Sequence, residues 1–168
     1  FQRLGAAEAA IHDMPLDEVH LHEVGALDSI IDIVGAVFAM GWFGVNEVIA
    51  SPLNVGGGMV EIAHGRFPVP APATIRLLAG VPIYSAGPQV ERVTPTGALL
   101  VSDYATGFGP TPAMTVEHIG YGAGTKDFPN VPNVLRVLIG ERTPVVPLSG
   151  PESVIKIECD IDDMNPQW

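Results

Sequence analysis

The chain has 168 residues, 47% hydrophobic and 16% charged, with 19 acids against 8 bases for a formal net charge of -11. That length and apolar content support a well-buried core and argue against a disordered chain, while the acidic balance disfavours nucleic acid and anionic membrane surfaces as partners. A single cysteine, Cys159, rules out an internal disulfide framework and points to a reducing, cytoplasmic compartment, and no stretch of about 18 unbroken apolar residues is present to cross a membrane.

The chain opens at Phe1 without a methionine and closes inside an acidic motif, which reads as cuts through a larger protein. Residues 1–12 are alanine-rich and predict a short amphipathic helix that Met14-Pro15 closes. Next comes His20-Leu21-His22-Glu23-Val24-Gly25-Ala26-Leu27-Asp28-Ser29-Ile30-Ile31-Asp32, where metal-ligand side chains gather as nowhere else. If the first part is extended, His20 and His22 share a face and Glu23 points away. Over residues 26–43 the apolar Leu27, Ile30, Ile31, Val34, Val37 and Phe38 recur at helical spacing. They predict a second, more buried helix with Asp28 and Asp32 one turn apart on the opposite face. Imidazoles with carboxylates suit zinc, nickel, manganese or iron. A solvated helix face, with the histidines paired to backbone or water, accounts for the same residues.

Strands are expected at 48–50 and 59–65, with three glycines, Gly56 to Gly58, between them. The segment Phe67-Pro68-Val69-Pro70-Ala71-Pro72 cannot be helical before its last proline, which is placed to open a helix over 73–79. Residues 81–85 and 90–93 read as strands, and Thr94-Pro95-Thr96-Gly97 as a capped turn into a helix over 98–106. Further strands are expected at 116–119, 134–139 and 154–160, with Gly120-Tyr121-Gly122-Ala123-Gly124 as a backbone-exposing loop. The alternation predicts an α/β fold, a mixed domain of layered helices and strands. Residues 1–141 form its main part, and the proline-rich stretch from 142 reads as a linker leading through 168.

Both glycine clusters have the freedom to aim N–H groups at an anion, yet neither matches a P-loop or dinucleotide fingerprint. Thr94, Thr96 and Gly97 sit at a helix start that welcomes phosphate or carboxylate, although ordinary N-capping is the simpler reading. His64, beside Gly65, is either a further ligand from a distant segment or a turn histidine. Lys126 and Arg136 flank the second glycine cluster and are candidate anion contacts. Serine hydrolysis lacks a Gly-x-Ser-x-Gly elbow, and the acidic surroundings of Cys159 suppress its thiolate.

The run from Val19 to Gly35, then His64-Gly65 with Pro68-Val69-Pro70-Ala71-Pro72-Ala73-Thr74, resembles the LarC family of nickel-insertion proteins. Thr94-Pro95-Thr96-Gly97-Ala98, Gly120-Tyr121-Gly122-Ala123-Gly124, Pro132-Asn133-Val134-Leu135-Arg136 and Asp160-Ile161-Asp162-Asp163-Met164-Asn165-Pro166 are similar to further motifs of that family, in its order. The resemblance covers nearly the whole chain. It implies insertion of nickel into a pyridinium bis-thiocarboxylate mononucleotide, with consumption of CTP alongside Mg or Mn. The product is the nickel-pincer cofactor, and the recipient is lactate racemase apoprotein or another nickel-pincer enzyme. It also implies a missing N-terminal segment, an absent C-terminal nucleotide domain and a homo-oligomeric full-length protein.

On that resemblance His20, His22, Glu23 and His64 become candidate nickel ligands. Asp28 and Asp32 become candidates to orient the imidazoles or to take the proton lost on metallation. Thr94, Thr96, Gly97, Gly120, Gly122 and Gly124 become candidate contacts to the anionic groups of the substrate. Two other classes stay open: a metal-dependent hydrolase using the His/Asp cluster, and a non-catalytic nickel-binding module.

Overall fold

A computed structural model describes residues 1–19, 27–62, 65–143 and, as backbone, 152–158. His20, His22, Glu23 and His64, with the Asp160 motif, lie outside the described residues. Helices and strands are mixed as expected, in the order α1 (Gln2–His12), α2 (Leu27–Trp42), β1 (Glu47–Ala50), β2 (Leu53–Asn54), β3 (Met59–Ile62), β4 (Gly65–Pro68), α3 (Pro72–Leu77), β5 (Ile83–Tyr84), α4 (Pro95–Tyr104), β6 (Gly107–Phe108), β7 (Met114–Ala123), β8 (Val134–Arg142) and β9 (Glu152–Glu158). They divide into two compact units, one of Phe1–Phe43 with Asn54–Tyr104, the other of Gly44–Leu53 with Ala105–Trp168.

The first unit holds the four helices. α1 and α4 both pack on α3, and α2 packs on α4. The shared core is made of Leu4, Ala7, Leu77, Leu78, Val93, Ala98 and Leu99, all under a tenth exposed. Their small and branched side chains let short helices approach closely, and burying each leucine contributes about 2 kcal/mol. Pro72 stands at the first turn of α3, where its missing N–H costs nothing. Arg3 of α1 reaches across to Asp103 of α4 as an exposed ion pair. α1 ends at Asp13 in the left-handed region (φ 50°), one residue before the predicted stop.

α2 departs from expectation in what it buries. Ser29 and Ile33 are its buried residues. Leu27, Ile30, Ile31, Val34, Val37 and Phe38, predicted to face a core, are all exposed. Periodicity identifies one apolar stripe, but the smaller face is the one that fits against α4.

The triple glycine is a place of close backbone approach. The N–H of Gly57 donates to the Val90 carbonyl, the N–H of Gly56 to Asn54 Oδ1, and the Gly58 carbonyl accepts from Val69. Gly56 and Gly58 have φ of 78° and 79°, and a Cβ on Gly56 would collide with the Val90 carbonyl oxygen. These N–H groups are therefore consumed by the fold and not aimed at an anion. Residues 90–93, expected as a strand, make only the isolated bridge of Glu91 to Gly56. Asn54 is completely buried and ties the segment together, accepting also from the Ala86 N–H and donating Nδ2 to the Ala86 carbonyl.

The second unit is a five-stranded sheet in the order β6-β1-β9-β8-β7. β1 pairs parallel with β6 and β9, while β8 pairs antiparallel with β9 and β7. Val48 and Ala50 alternate inward on β1. Arg142 of β8 grips the Glu47 carboxylate with one nitrogen 3.0 and 3.1 Å from its two oxygens. The glycine loop expected at 120–124 is mostly strand: β7 runs through Ala123, with Gly120 opposite Val137 and Gly122 opposite Leu135. Glycine weakens a strand by itself, but β8 pairs without interruption from His118 to Ala123 and overrides the local preference.

Candidate functional site

The first unit contains a cavity of about 570 Å³ whose wall is built from four separated stretches of sequence. From α2 come Asp28, Ser29 and Asp32. Asp28 sits in the first helical turn, where its carboxylate favours the positive helix end and accepts the Ser29 N–H at 2.8 Å. Asp32 follows one turn later, so both carboxylates reach the same cavity, as their spacing predicts.

From β3 comes Glu61, paired in register with Arg66 on β4, so that opposite charges stand across the hairpin. Glu91 is delivered by its bridge to Gly56. Sequence reasoning did not single out Glu61 or Glu91. Alternation marked 59–65 as a strand, but nothing local says that its acid faces those of α2.

The fourth stretch is the start of α4, with Thr94, Pro95 and Thr96 on the wall. Thr94 is the N-cap: its Oγ1 accepts the Gly97 N–H at 3.3 Å and its carbonyl accepts the Ala98 N–H at 2.9 Å. Pro95 has no N–H to offer. Capping thus engages Thr94 and Gly97, and Thr96 is the remaining wall residue of this turn that carries both a backbone N–H and a hydroxyl.

The cavity brings together Asp28, Asp32, Thr94 and Thr96 from the predicted residues. Gly97 lies just behind, in the first turn of α4. Gly120, Gly122 and Gly124 belong to the other unit, where the Gly124 N–H donates to the Asn133 carbonyl at 3.0 Å. Arg136 is likewise a strand residue, opposite Tyr121.

Among the described residues four carboxylates and no lysine or arginine line the cavity, with Arg66 across the hairpin from Glu61, so the wall is acidic. Its donors are carboxylate and hydroxyl oxygens, which fit Mg²⁺ or Mn²⁺ readily and Ni²⁺ less well without a nitrogen ligand. No group of three or more His, Cys, Asp or Glu is arranged as a ready-made metal centre among the described residues. No described helix is long and apolar enough to cross a membrane.

The model of the nickel insertion protein family matches residues 1–168. A provisionally named nickel insertion protein of Citrifermentans bemidjiense is 54% identical over 167 residues, covering 99% of this chain and 43% of the relative. The pyridinium-3,5-bisthiocarboxylic acid mononucleotide nickel insertion protein of Desulfitobacterium hafniense is 49% identical over 172 residues, covering 99% of this chain and 42% of the relative. The chain thus spans less than half the length of these relatives. No solved structure matches it. On a match that runs from the first residue to the last, the chain belongs to the nickel insertion protein family.

Proposed function

We propose that the protein to which this chain belongs inserts nickel into pyridinium-3,5-bisthiocarboxylic acid mononucleotide, acting as a nickel chelatase of the lyase class. The observation that carries this reading is the cavity whose wall, among the described residues, gathers Asp28, Asp32, Glu61 and Glu91. The substrate comes from the name of the Desulfitobacterium hafniense relative.

Nickel is the cargo. His20, His22, Glu23 and His64 hold it before delivery, because imidazole nitrogen binds nickel well yet yields it to sulfur. Chain connectivity supports their use. His64 is two residues beyond Ile62 of the cavity wall, and His22 is six residues before Asp28. In insertion two thiocarboxylate sulfurs bond to nickel. The ring carbon loses a proton, and the electron pair of that C–H bond forms the nickel–carbon bond. Asp28 or Asp32 accepts the proton. Thr94, Thr96 and Gly97 are the proposed contacts for phosphate and carboxylate groups, Thr96 with the most freedom to act, whereas Gly120 and Gly122 pair with β8 and the Gly124 N–H is donated to Asn133.

The full-length protein consumes CTP, accompanied by Mg²⁺ or Mn²⁺, in the reaction. The nickel-pincer product is passed to lactate racemase apoprotein or another nickel-pincer enzyme. The full-length protein is a cytoplasmic homo-oligomer.

The test uses a full-length relative with precursor, nickel and CTP, and mass spectrometry for the nickel adduct. Asp28→Asn with Asp32→Asn is expected to abolish the adduct, and His20→Ala with His22→Ala to weaken nickel binding at least tenfold. Unchanged nickel affinity in the histidine variant refutes the ligand assignment. Hydrolysis of the substrate without CTP would instead favour a metal-dependent hydrolase.

A further inference from the structure

The proposed substrate meets a charge problem at the cavity. It carries a phosphate and two thiocarboxylates against a single pyridinium cation. A phosphomonoester bears about −1.5 to −2 at pH 7, so the molecule is an anion overall. The wall that it approaches presents Asp28, Asp32, Glu61 and Glu91. Nickel, as cargo, offsets the thiocarboxylates at the reacting end. The phosphate at the other end needs a cation of the protein, because neutral hydroxyls and one helix start do not balance four carboxylates.

The unit that holds the cavity has few groups able to supply it. Residues 1–43 and 54–104 contain no lysine, and their arginines are Arg3, Arg66, Arg76 and Arg92. Arg3 is engaged by Asp103 where α1 meets α4. All three guanidinium nitrogens of Arg92 are buried, beside Gly56 and Gly87. Arg76 stands in the last turn of α3, a helix with no residue on the described wall. Arg66 is the one that satisfies the geometry. It is exposed and lies directly opposite Glu61 in the β3–β4 hairpin. Directly opposed residues of an antiparallel pair share a face, and their strands stand about 4.8 Å apart. The guanidinium therefore belongs to the same side of the hairpin as the Glu61 carboxylate, one strand beyond the wall. Among the described residues Arg66 forms no ion pair, so its planar fork of donors is open to a ligand. His64, a proposed nickel ligand, precedes it by two residues.

We infer that Arg66 binds the phosphate of the substrate at the rim of the cavity, through two parallel N–H···O contacts. The acids then face the cargo and the ring carbon that loses its proton, while the phosphate is drawn across the hairpin to β4. Entry the other way round would set the phosphate against the carboxylates, so Arg66 decides the orientation of the substrate. This role rests on the proposed substrate and adds the group that recognises one end of it.

The experiment measures nickel insertion by mass spectrometry, over a range of substrate concentrations, with the full-length protein that contains this chain. Arg66→Ala is expected to raise KM about 30-fold, as loss of a charge-assisted contact does. kcat should stay within about twofold, because the phosphate is held equally in ground and transition states. Arg66→Lys keeps the charge without the fork and should recover part of the loss. The substrate stripped of its phosphate provides the second arm: there Arg66→Ala should change KM less than about threefold. Nickel affinity without substrate, read by equilibrium dialysis, should be the same in all variants. If Arg66→Ala loses its circular dichroism, Arg66→Lys compared on the two substrates gives the same test, its penalty confined to the phosphorylated one. A KM indifferent to Arg66→Ala, or an equal penalty with and without the phosphate, overturns the inference and leaves nickel insertion standing. Wild-type protein that forms no nickel adduct overturns the proposed function, and the role of Arg66 with it.

Discussion

Replacing Asn54 by alanine tests how the cavity wall is held. Asn54 is 0% exposed. Its Oδ1 accepts the N–H groups of Gly56 and Ala86, each at 3.1 Å, and its Nδ2 donates to the Ala86 carbonyl at 3.2 Å. Truncation leaves two N–H donors and removes one partner from a carbonyl, in a place with little room for replacement water. Each orphaned buried donor costs about 1–3 kcal/mol, so Asn54→Ala should lose about 4 kcal/mol in all. At about 2–4 °C per kcal/mol for a chain of this size, the melting point should fall by about 10 °C. Urea denaturation gives the total. Hydrogen exchange localises it, because the Gly56 and Ala86 amides should lose protection before those of β8. Since Gly56 is bridged to Glu91, divalent-cation binding in the cavity should weaken in the same variant. A loss below about 1 kcal/mol, or unchanged protection at Gly56 and Ala86, would refute the assignment of Asn54 as the clamp.

Gly56→Ala combines a left-handed backbone with a collision on the Val90 carbonyl, so a loss of about 3 kcal/mol or more is expected in the same denaturation assay. Gly35→Ala has open space on an exposed helix and should gain about 0.5–1 kcal/mol, which separates steric from propensity effects. Thr94→Ala should cost about 1 kcal/mol by removing the cap of α4, and Thr94→Ser should restore it, whereas Thr96→Ala should leave stability unchanged and weaken binding of the substrate. Arg142→Ala breaks a pair whose arginine is 47% exposed and should cost less than about 1 kcal/mol, a loss that shrinks further in high salt.

Sequence alone determined the elements whose signals are local. Alanine-rich composition and the Met14-Pro15 stop marked α1, Pro72 opened α3, Thr94 capped α4, and short runs of strand-favouring apolar residues marked β1 and β8. One turn between Asp28 and Asp32 placed both acids on one side of α2. Resemblance across the ordered motifs identified the nickel insertion family. The tertiary structure decided what depends on partners distant in sequence. Gly120 and Gly122 carry no side chain to announce a strand, and β8 makes them one. Residues 90–93 have strand composition, but with only Gly56 to pair against they stop at a bridge. Periodicity located the apolar stripe of α2 without indicating which face α4 would take. Glu61 and Glu91 join Asp28 and Asp32 only because a hairpin and a buried asparagine hold them there. Spacing reports what lies within a turn or a strand of itself, whereas a cavity is an agreement among segments that no local pattern records.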